Sequence, residues 1–199
     1  MLAFTFSLAA SRYETRRQLV LDEANAVGTT YLRTGLLPEP QRAKIRNLLK
    51  EYVTFRVKGI QAGGKYAISR SEELQDRLWG EAAALGEQHP ASIIVGLFIQ
   101  SLNEVIDLHT KRVTAILRSR IPGSIWAALY FVAVLAMTAM GYQTGLTGKR
   151  SSFAVITLVL SFSAVMLLIA DLDRPHEGLL RVSQQVLIDL QEKIGAPTH

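Results

Sequence analysis

The feature that most constrains the fold is a stretch of fifty residues, Ile121–Ala170, in which the only charged side chains are Lys149 and Arg150. About 20 helical residues, rising 1.5 Å each, cross the roughly 30 Å hydrocarbon layer of a bilayer. We therefore predict a hairpin of two transmembrane helices, at residues 124–145 and 152–171. The alternative is two buried helices of a soluble bundle, which would usually be shorter and have a polar face.

The charge outside this stretch predicts the orientation of the hairpin. Residues 11–120 carry 17 basic and 12 acidic side chains, a difference equal to the net charge of +5 for the whole chain. Because basic residues concentrate on the cytoplasmic side of membrane helices, the two flanks of the hairpin are expected in the cytoplasm, and the bilayer would be the inner membrane. Two basic residues lie at the tip of the hairpin, and six flank it. The flanking residues are Lys111, Arg112, Arg118, Arg120, Arg174 and Arg181.

We thus predict a cytoplasmic helical region at residues 11–120 and a cytoplasmic C-terminal helix at residues 172–199. The basic excess is spread along helices beside a membrane. It suits attraction to anionic lipid headgroups better than binding to nucleic acid, so the expected partner is the lipid bilayer.

The first ten residues are also uncharged, and Arg12, Arg16 and Arg17 follow them closely. Ten residues cannot span a bilayer, and no basic region precedes them as it would in a signal peptide. We interpret residues 1–10 as the end of a truncated membrane helix. The alternative is the ordinary start of an amphipathic helix.

Apolar residues recur at helical spacing through the polar half of the chain, and no convincing strand pattern occurs, so the predicted fold class is all-α. The first helix is expected to end near Gly35, with Pro38 and Pro40 opening the second. Ser71, followed by two glutamates, predicts the start of a third helix, because a hydroxyl can cap its first turn. Pro90 separates that helix from a long fourth one.

Two motifs suggest chemistry and are rejected. Residues 59–65 match the spacing of a phosphate-binding loop, but Tyr66 replaces the required Ser or Thr and no buried strand precedes the match, which indicates a loop between helices. Asp107 and His109 suggest a metal site, but a two-residue separation points them to different sides of a helix.

No catalytic arrangement emerges from the remaining residues. The chain has no cysteine, and its four histidines have no serine or acid at catalytic spacing. We therefore predict a protein that is not an enzyme and that uses no metal or cofactor.

Eight polar residues are candidates for structural contacts. In the first helix, Asp22, Glu23 and Asn25 either hydrogen-bond to polar groups of neighbouring helices or face a water-filled vestibule. Those in the long helix suit hydrogen bonding and an ion pair with Lys111. Those after the second span either pair to fix the turn or form a solvated helix end. In chain order they are Asp22, Glu23, Asn25, Asn103, Asp107, Asp171, Asp173 and Arg174.

Three stretches, residues 11–33, 101–113 and 171–185, with the hairpin between the last two, resemble a bacterial bestrophin-like membrane family, a domain of unknown function. The resemblance covers nearly the whole chain as one domain. It extends more weakly to bestrophin channels, through an apolar helix that runs into Ser-Arg-Tyr-Glu and an Asp-Arg-Pro turn after the last span. Bestrophins are homopentameric anion channels with four membrane spans per subunit, the second of which lines an apolar pore neck.

This resemblance implies a homo-oligomeric ion channel, with the helix beginning at Leu2 as the end of the second span. Phe4 and Leu8 would form an apolar constriction that gates by wetting, or Ser7 and Ser11 would line the pore instead. Compared with this pattern, we expect the chain to lack the first span and the start of the second.

A second departure concerns calcium. The acidic run that forms the calcium site of eukaryotic bestrophins is absent, since only Glu177 follows Pro175, so calcium gating is not expected. The alternative function is a non-conducting, membrane-anchored scaffold whose helical region binds a cytoplasmic partner.

Overall fold

The computed structural model describes residues 2–58, 65–118, 121–147, 152–173 and 182–195. Within these ranges the chain is helical and contains no strand, which confirms the all-α fold class. The predicted loop at residues 59–64, the tip of the hairpin and Arg174 lie outside the described residues. The helices within the described ranges are α1 (Leu2–Thr34), α2 (Gln41–Lys58), α3 (Lys65–Gln88), α4 (Ile93–Arg118), α5 (Gly123–Thr147), α6 (Ser152–Asp173) and α7 (Gln185–Gly195).

The first two helix boundaries follow the glycine and proline signals of the sequence. Helix α1 ends one residue before Gly35, whose N–H donates to the carbonyl of Leu32 at 3.0 Å. Helix α2 begins directly after Pro40, where the N–H of Arg42 donates to the carbonyl of Pro38 at 3.1 Å. These hydrogen bonds satisfy backbone N–H and carbonyl groups at the helix ends, which have no partner in the regular hydrogen-bond pattern of the helix.

The predicted start of α3 at Ser71 is wrong. Helix α3 begins at Lys65, and Ser71 lies inside it with its side chain buried. The Ser71 hydroxyl donates to the carbonyl of Ala67, four residues earlier, at 2.7 Å. A serine can satisfy its hydroxyl against the preceding turn in this way, so the residue does not have to cap a helix.

The chain divides into two compact units. The first, here called the hairpin unit, comprises Met1–Thr15 with Leu117–Val182. The second, here called the body, comprises Arg16–Ile116 with Ser183–His199. Helix α1 contributes residues to both units.

The body is held together by apolar helix faces. Helix α2 packs against α3 and α7, and α7 buries Leu187 and Ile194. Burial of apolar area at about 25 cal/mol per Å² is the main favourable term in such a core. Its largest fully buried side chains include Ile45, Leu49, Tyr52, Leu74, Leu78, Leu85, Phe98 and Leu102.

The hairpin unit has little core of its own. Ala9, Ile121, Ile169 and Leu172 form a small buried cluster, whereas most side chains of α5 and α6 are exposed. The apolar parts of these helices, Gly123–Gln143 and Val155–Asp173, are long enough to cross a membrane, and few of their residues are buried. Core helices of a soluble protein would be mostly covered, so this exposed apolar surface calls for lipid or another chain.

Candidate functional site

The candidate pore residues lie on the first turns of α1, in the hairpin unit. Phe4 is 68% exposed, Ser7 and Ser11 are also exposed, and Leu8 is half-buried. The spacing of three and four residues places Phe4, Ser7 and Ser11 on one helix face. The two alternatives for the pore lining, apolar Phe4 and the polar pair Ser7 and Ser11, therefore lie on one surface. Leu8 lies at the edge of that surface.

The opposite face of this part of α1 is covered. Thr5 and Ala9 are buried, and Ala9 belongs to the small core of the hairpin unit. One turn further, Arg12 lies 3.8 Å from Asp173, measured from Nη1 to Oδ1. The covered face thus ends in an ion pair at the carboxyl end of α6.

Asp173 also fixes the entrance to α5. Its Oδ1 accepts a hydrogen bond from the backbone N–H of Ile121 at 2.9 Å. The neighbouring Asp171 is half-buried. Asp173 therefore joins α6 to α1 and to the start of α5. The predicted pair with Arg174 involves a residue outside the described ranges and stays a prediction.

A buried polar cluster in the body, here called the Glu23 cluster, centres on a carboxylate with no exposed surface. Arg56 binds it with two hydrogen bonds, Nε to Oε1 at 2.8 Å and Nη2 to Oε2 at 3.0 Å. Arg112 donates from Nη1 to the same Oε2. Bidentate charged hydrogen bonds of this type are among the strongest in proteins, and here they connect α1, α2 and α4.

Two further helix side chains complete the centre of the cluster. The hydroxyl of Tyr52 donates to Oε1 of Glu23 at 2.7 Å, and Nε2 of Gln75 donates to that hydroxyl at 3.4 Å. Arg112 uses its Nη2 to donate to Oε1 of Gln184 at 2.7 Å, just before α7 begins. The cluster therefore joins four helices and the segment that leads into α7.

His109 borders the cluster from α4. Its Nδ1 lies 3.4 Å from the Tyr52 hydroxyl. Because that hydroxyl has one proton, which it donates to Glu23, the contact places a proton on Nδ1. The other ring nitrogen, Nε2, is buried and has no hydrogen-bond partner among the residues that the structure describes.

The charges of the cluster shift its ionisation. Burial by itself would raise the pKa of Glu23, but Arg56 and Arg112 outweigh burial and lower that pKa from 4.5 to about 2. For His109, burial and the charge of Arg56 lower the pKa from 6.5 to about 4, although Glu23 opposes the shift. Near neutral pH, the folded protein thus holds an ionised Glu23 beside a neutral His109.

The predicted polar residues of the body have different surroundings. Among the five of them, Glu23 alone lies at the centre of the buried cluster. Asp22 is half-buried and accepts a hydrogen bond from Nε2 of Gln18 at 2.9 Å, while Asn25 is exposed. Asn103 and Asp107 are exposed on α4.

The sequence analysis did not identify Arg56 and Arg112 as members of the Glu23 cluster, although their positions on apolar helix stripes indicate burial. Arg56 follows Tyr52 by four residues and Val53 by three, so it continues the apolar stripe of α2. Arg112 likewise follows His109 by three residues on the buried face of α4. A charged residue on an apolar helix stripe indicates a buried ion pair.

A groove on the body lies between α1 and α7. It has a volume of about 490 Å³, and Ala24, Gly28, Leu32, Val186 and Leu190 supply most of its apolar lining. Its polar lining includes Asn25, Thr29, Asp189 and Lys193. The groove is thus mostly apolar, with one acidic and one basic side chain in its wall.

The sequence profile of the bestrophin-like domain matches residues 1–187. No curated protein matches the chain, and no solved structure does. The matched range includes the Glu23 cluster, the exposed face of α1 and both apolar helices. The chain belongs to the bestrophin-like family.

Proposed function

We propose that the protein is an oligomeric ion channel of the bacterial inner membrane. The observation that carries this proposal is the apolar, exposed surface of α5 and α6, combined with membership of the bestrophin-like family. A hairpin of two bare apolar helices is stable in a bilayer, where its backbone groups are satisfied within each helix. The same surface in water would drive aggregation.

The exposed face of α1 is the proposed wall of the conduction path. On one side of this segment, Ala9 is buried in the small core of the hairpin unit. On the other side, Phe4, Ser7 and Ser11 are exposed. In a ring of subunits, the free face of such a helix can line the axis, with aromatic side chains as a constriction and hydroxyls as ligands for water and ions. The resemblance to bestrophins implies a pentamer that conducts anions, with the body on the cytoplasmic side.

A non-conducting scaffold is the second candidate function. It is favoured by the groove between α1 and α7 and by exposed aliphatic side chains on the body, such as Leu32, Leu36 and Ile93. The two functions differ in ion flux: a scaffold leaves liposomes sealed, whereas a channel dissipates an ion gradient.

The channel proposal is tested by measuring the mass of the purified protein in detergent and the ion flux of liposomes that contain it. We expect an oligomer that dissipates a chloride or potassium gradient at a rate proportional to the amount of protein. A monomer, or an oligomer that leaves the liposomes sealed, would refute the proposal.

Replacing Phe4 with serine should raise this flux several-fold. A polar side chain at an apolar constriction lowers the barrier to wetting, so that ions pass more often. Phe153→Ser is the matched control, because Phe153 lies on α6 and is 83% exposed. Equal flux for the wild type and the Phe4 variant would exclude Phe4 from the constriction.

A further inference from the structure

Residues on the uncovered face of α1 in the body recur at alternating intervals of three and four. This alternation is a period of 3.5 residues, the spacing that keeps side chains on one seam of a helix in coiled coils. Four of the five residues are exposed, and the glycine among them is half-buried. These five residues, here called the α1 stripe, are Gln18, Leu21, Asn25, Gly28 and Leu32.

The same period extends in the sequence towards the start of α1. A row of residues at seven-residue intervals runs from Phe4 to Leu32 and therefore covers four heptads. Phe4 is 68% exposed and Leu32 is 69% exposed, so the row begins and ends on uncovered side chains. A heptad pattern sustained over this length is typical of helices that pack against other helices along a seam. In chain order the row is Phe4, Ser11, Gln18, Asn25 and Leu32.

The chemistry of the α1 stripe suits contact with a second copy of the same helix. The side-chain amides of Gln18 and Asn25 both donate and accept hydrogen bonds, so each can pair with the same amide of another copy. A single asparagine in the seam of a coiled coil also fixes the register in which identical helices meet. The two leucines can pack on their own copies, and none of the five residues carries a charge that its copy would repel.

The surface beside the α1 stripe has room for a neighbouring helix. Asn25, Gly28 and Leu32 line the groove between α1 and α7, whose volume is about 490 Å³. On the α7 side, the groove carries one acid, Asp189, and one base, Lys193, whose charges offset each other. Side chains of another copy that enter this groove would bury apolar area, which favours association.

We propose that the α1 stripe is the surface through which the body binds a second copy of the chain, with the two α1 helices parallel and in register. Subunits that form a symmetric ring in one bilayer share one orientation, which requires the parallel arrangement. In this register, Asn25 of each copy lies against Asn25 of its neighbour. The inference rests on the proposed function, because it names a contact that stabilises the proposed oligomer.

Thiol cross-linking tests the register. The chain has no cysteine, so Asn25→Cys introduces a single thiol into each copy. We expect mild oxidation, or a short bifunctional thiol reagent, to link the copies in the purified oligomer at least about tenfold faster at position 25 than in Asn47→Cys, because thiols held together react at a higher effective concentration. Asn47 is a matched control, since it is exposed on another helix, α2. Dilution of the oligomer should leave the rate at position 25 unchanged.

A charge on the α1 stripe tests the same contact without cross-linking. Leu21→Lys places one cation on the stripe of every copy, and like charges brought together at an interface repel. We expect the protein concentration needed for assembly to rise at least about tenfold at low salt, and by less at high salt because salt screens the repulsion. Leu97→Lys on α4 is the control, since Leu97 is 43% exposed and Leu21 is 38% exposed. A helical circular dichroism spectrum checks that each variant is folded.

The outcomes separate this inference from the channel proposal. A conducting wild-type oligomer in which Asn25→Cys cross-links no faster than Asn47→Cys would overturn the inference and leave the channel proposal standing. Assembly of folded Leu21→Lys at the wild-type concentration would overturn it as well. Fast cross-linking at position 25 in an oligomer that leaves liposomes sealed would support the inference and refute the channel. A monomeric wild type would refute both.

Discussion

Replacing Glu23 with glutamine is expected to lower the free energy of unfolding of the protein by about 3–5 kcal/mol. The variant keeps the shape of the side chain and removes its charge. Arg56 and Arg112 would then be two buried cations without a counter-charge, and both are more than 90% covered. Urea unfolding followed by circular dichroism in detergent measures the loss.

Two controls separate the buried charge from a general effect of substitution. Glu104→Gln removes a carboxylate from the exposed face of α4 and should change the free energy of unfolding by less than about 0.5 kcal/mol. A triple variant, Glu23→Leu with Arg56→Met and Arg112→Met, removes all three charges and should recover most of the lost stability. Wild-type stability in Glu23→Gln would show that the cluster does not stabilise the fold.

Acid is expected to destabilise the protein through His109 before it affects Glu23. The pKa of His109 is lowered from 6.5 to about 4, so the unfolded chain binds a proton in this window and the folded protein does not. Stability is therefore lost as the pH falls from about 6.5 towards 4. A shift of this size corresponds to about 3 kcal/mol. Because the pKa of Glu23 is lowered from 4.5 to about 2, its contribution is lost at lower pH, between those two values.

The free energy of unfolding, measured at intervals between pH 7 and pH 4.5, checks this expectation. His109→Gln should flatten most of the slope, since glutamine does not titrate. His89→Gln is the matched control, because His89 is exposed and lies outside the cluster. A wild-type slope that persists in His109→Gln would assign the acid sensitivity to other groups.

The helical layout was predictable because its signals are local. An uncharged run of about 20 residues and a proline or glycine near a helix end act within a few turns of chain, so α5 and α6 begin and end within about two residues of the predicted spans. Ser71 was misassigned for a local reason too, since the same hydroxyl can cap a helix or bond to the preceding turn.

The Glu23 cluster was not predictable in the same way. Arg56 and Arg112 lie 33 and 89 residues from Glu23 in the sequence. Helical periodicity shows that each arginine occupies a buried stripe, but it does not show which acid each one meets. That pairing depends on how α1, α2 and α4 pack, which is a tertiary property.

For the exposed face of α1 too, the local sequence predicts one part and tertiary packing determines the rest. Spacing places Phe4, Ser7 and Ser11 on related turns, yet the sequence leaves open whether the apolar or the polar residues point outward. The burial of Ala9 in one apolar cluster with Ile121 and Ile169 fixes the rotation of the helix, and Phe4, Ser7 and Ser11 are exposed. The proposed pore is drawn from this face of α1, whereas the proposed membrane hairpin is drawn from the apolar surface of α5 and α6.

Single-channel recording from the purified protein in planar bilayers, with the oligomeric mass measured on the same preparation, tests the channel proposal most directly. The proposal predicts discrete unitary currents from an oligomer, and a changed unitary conductance in Phe4→Ser but not in Phe153→Ser. An intact oligomer that inserts into the bilayer and passes no unitary current would contradict it.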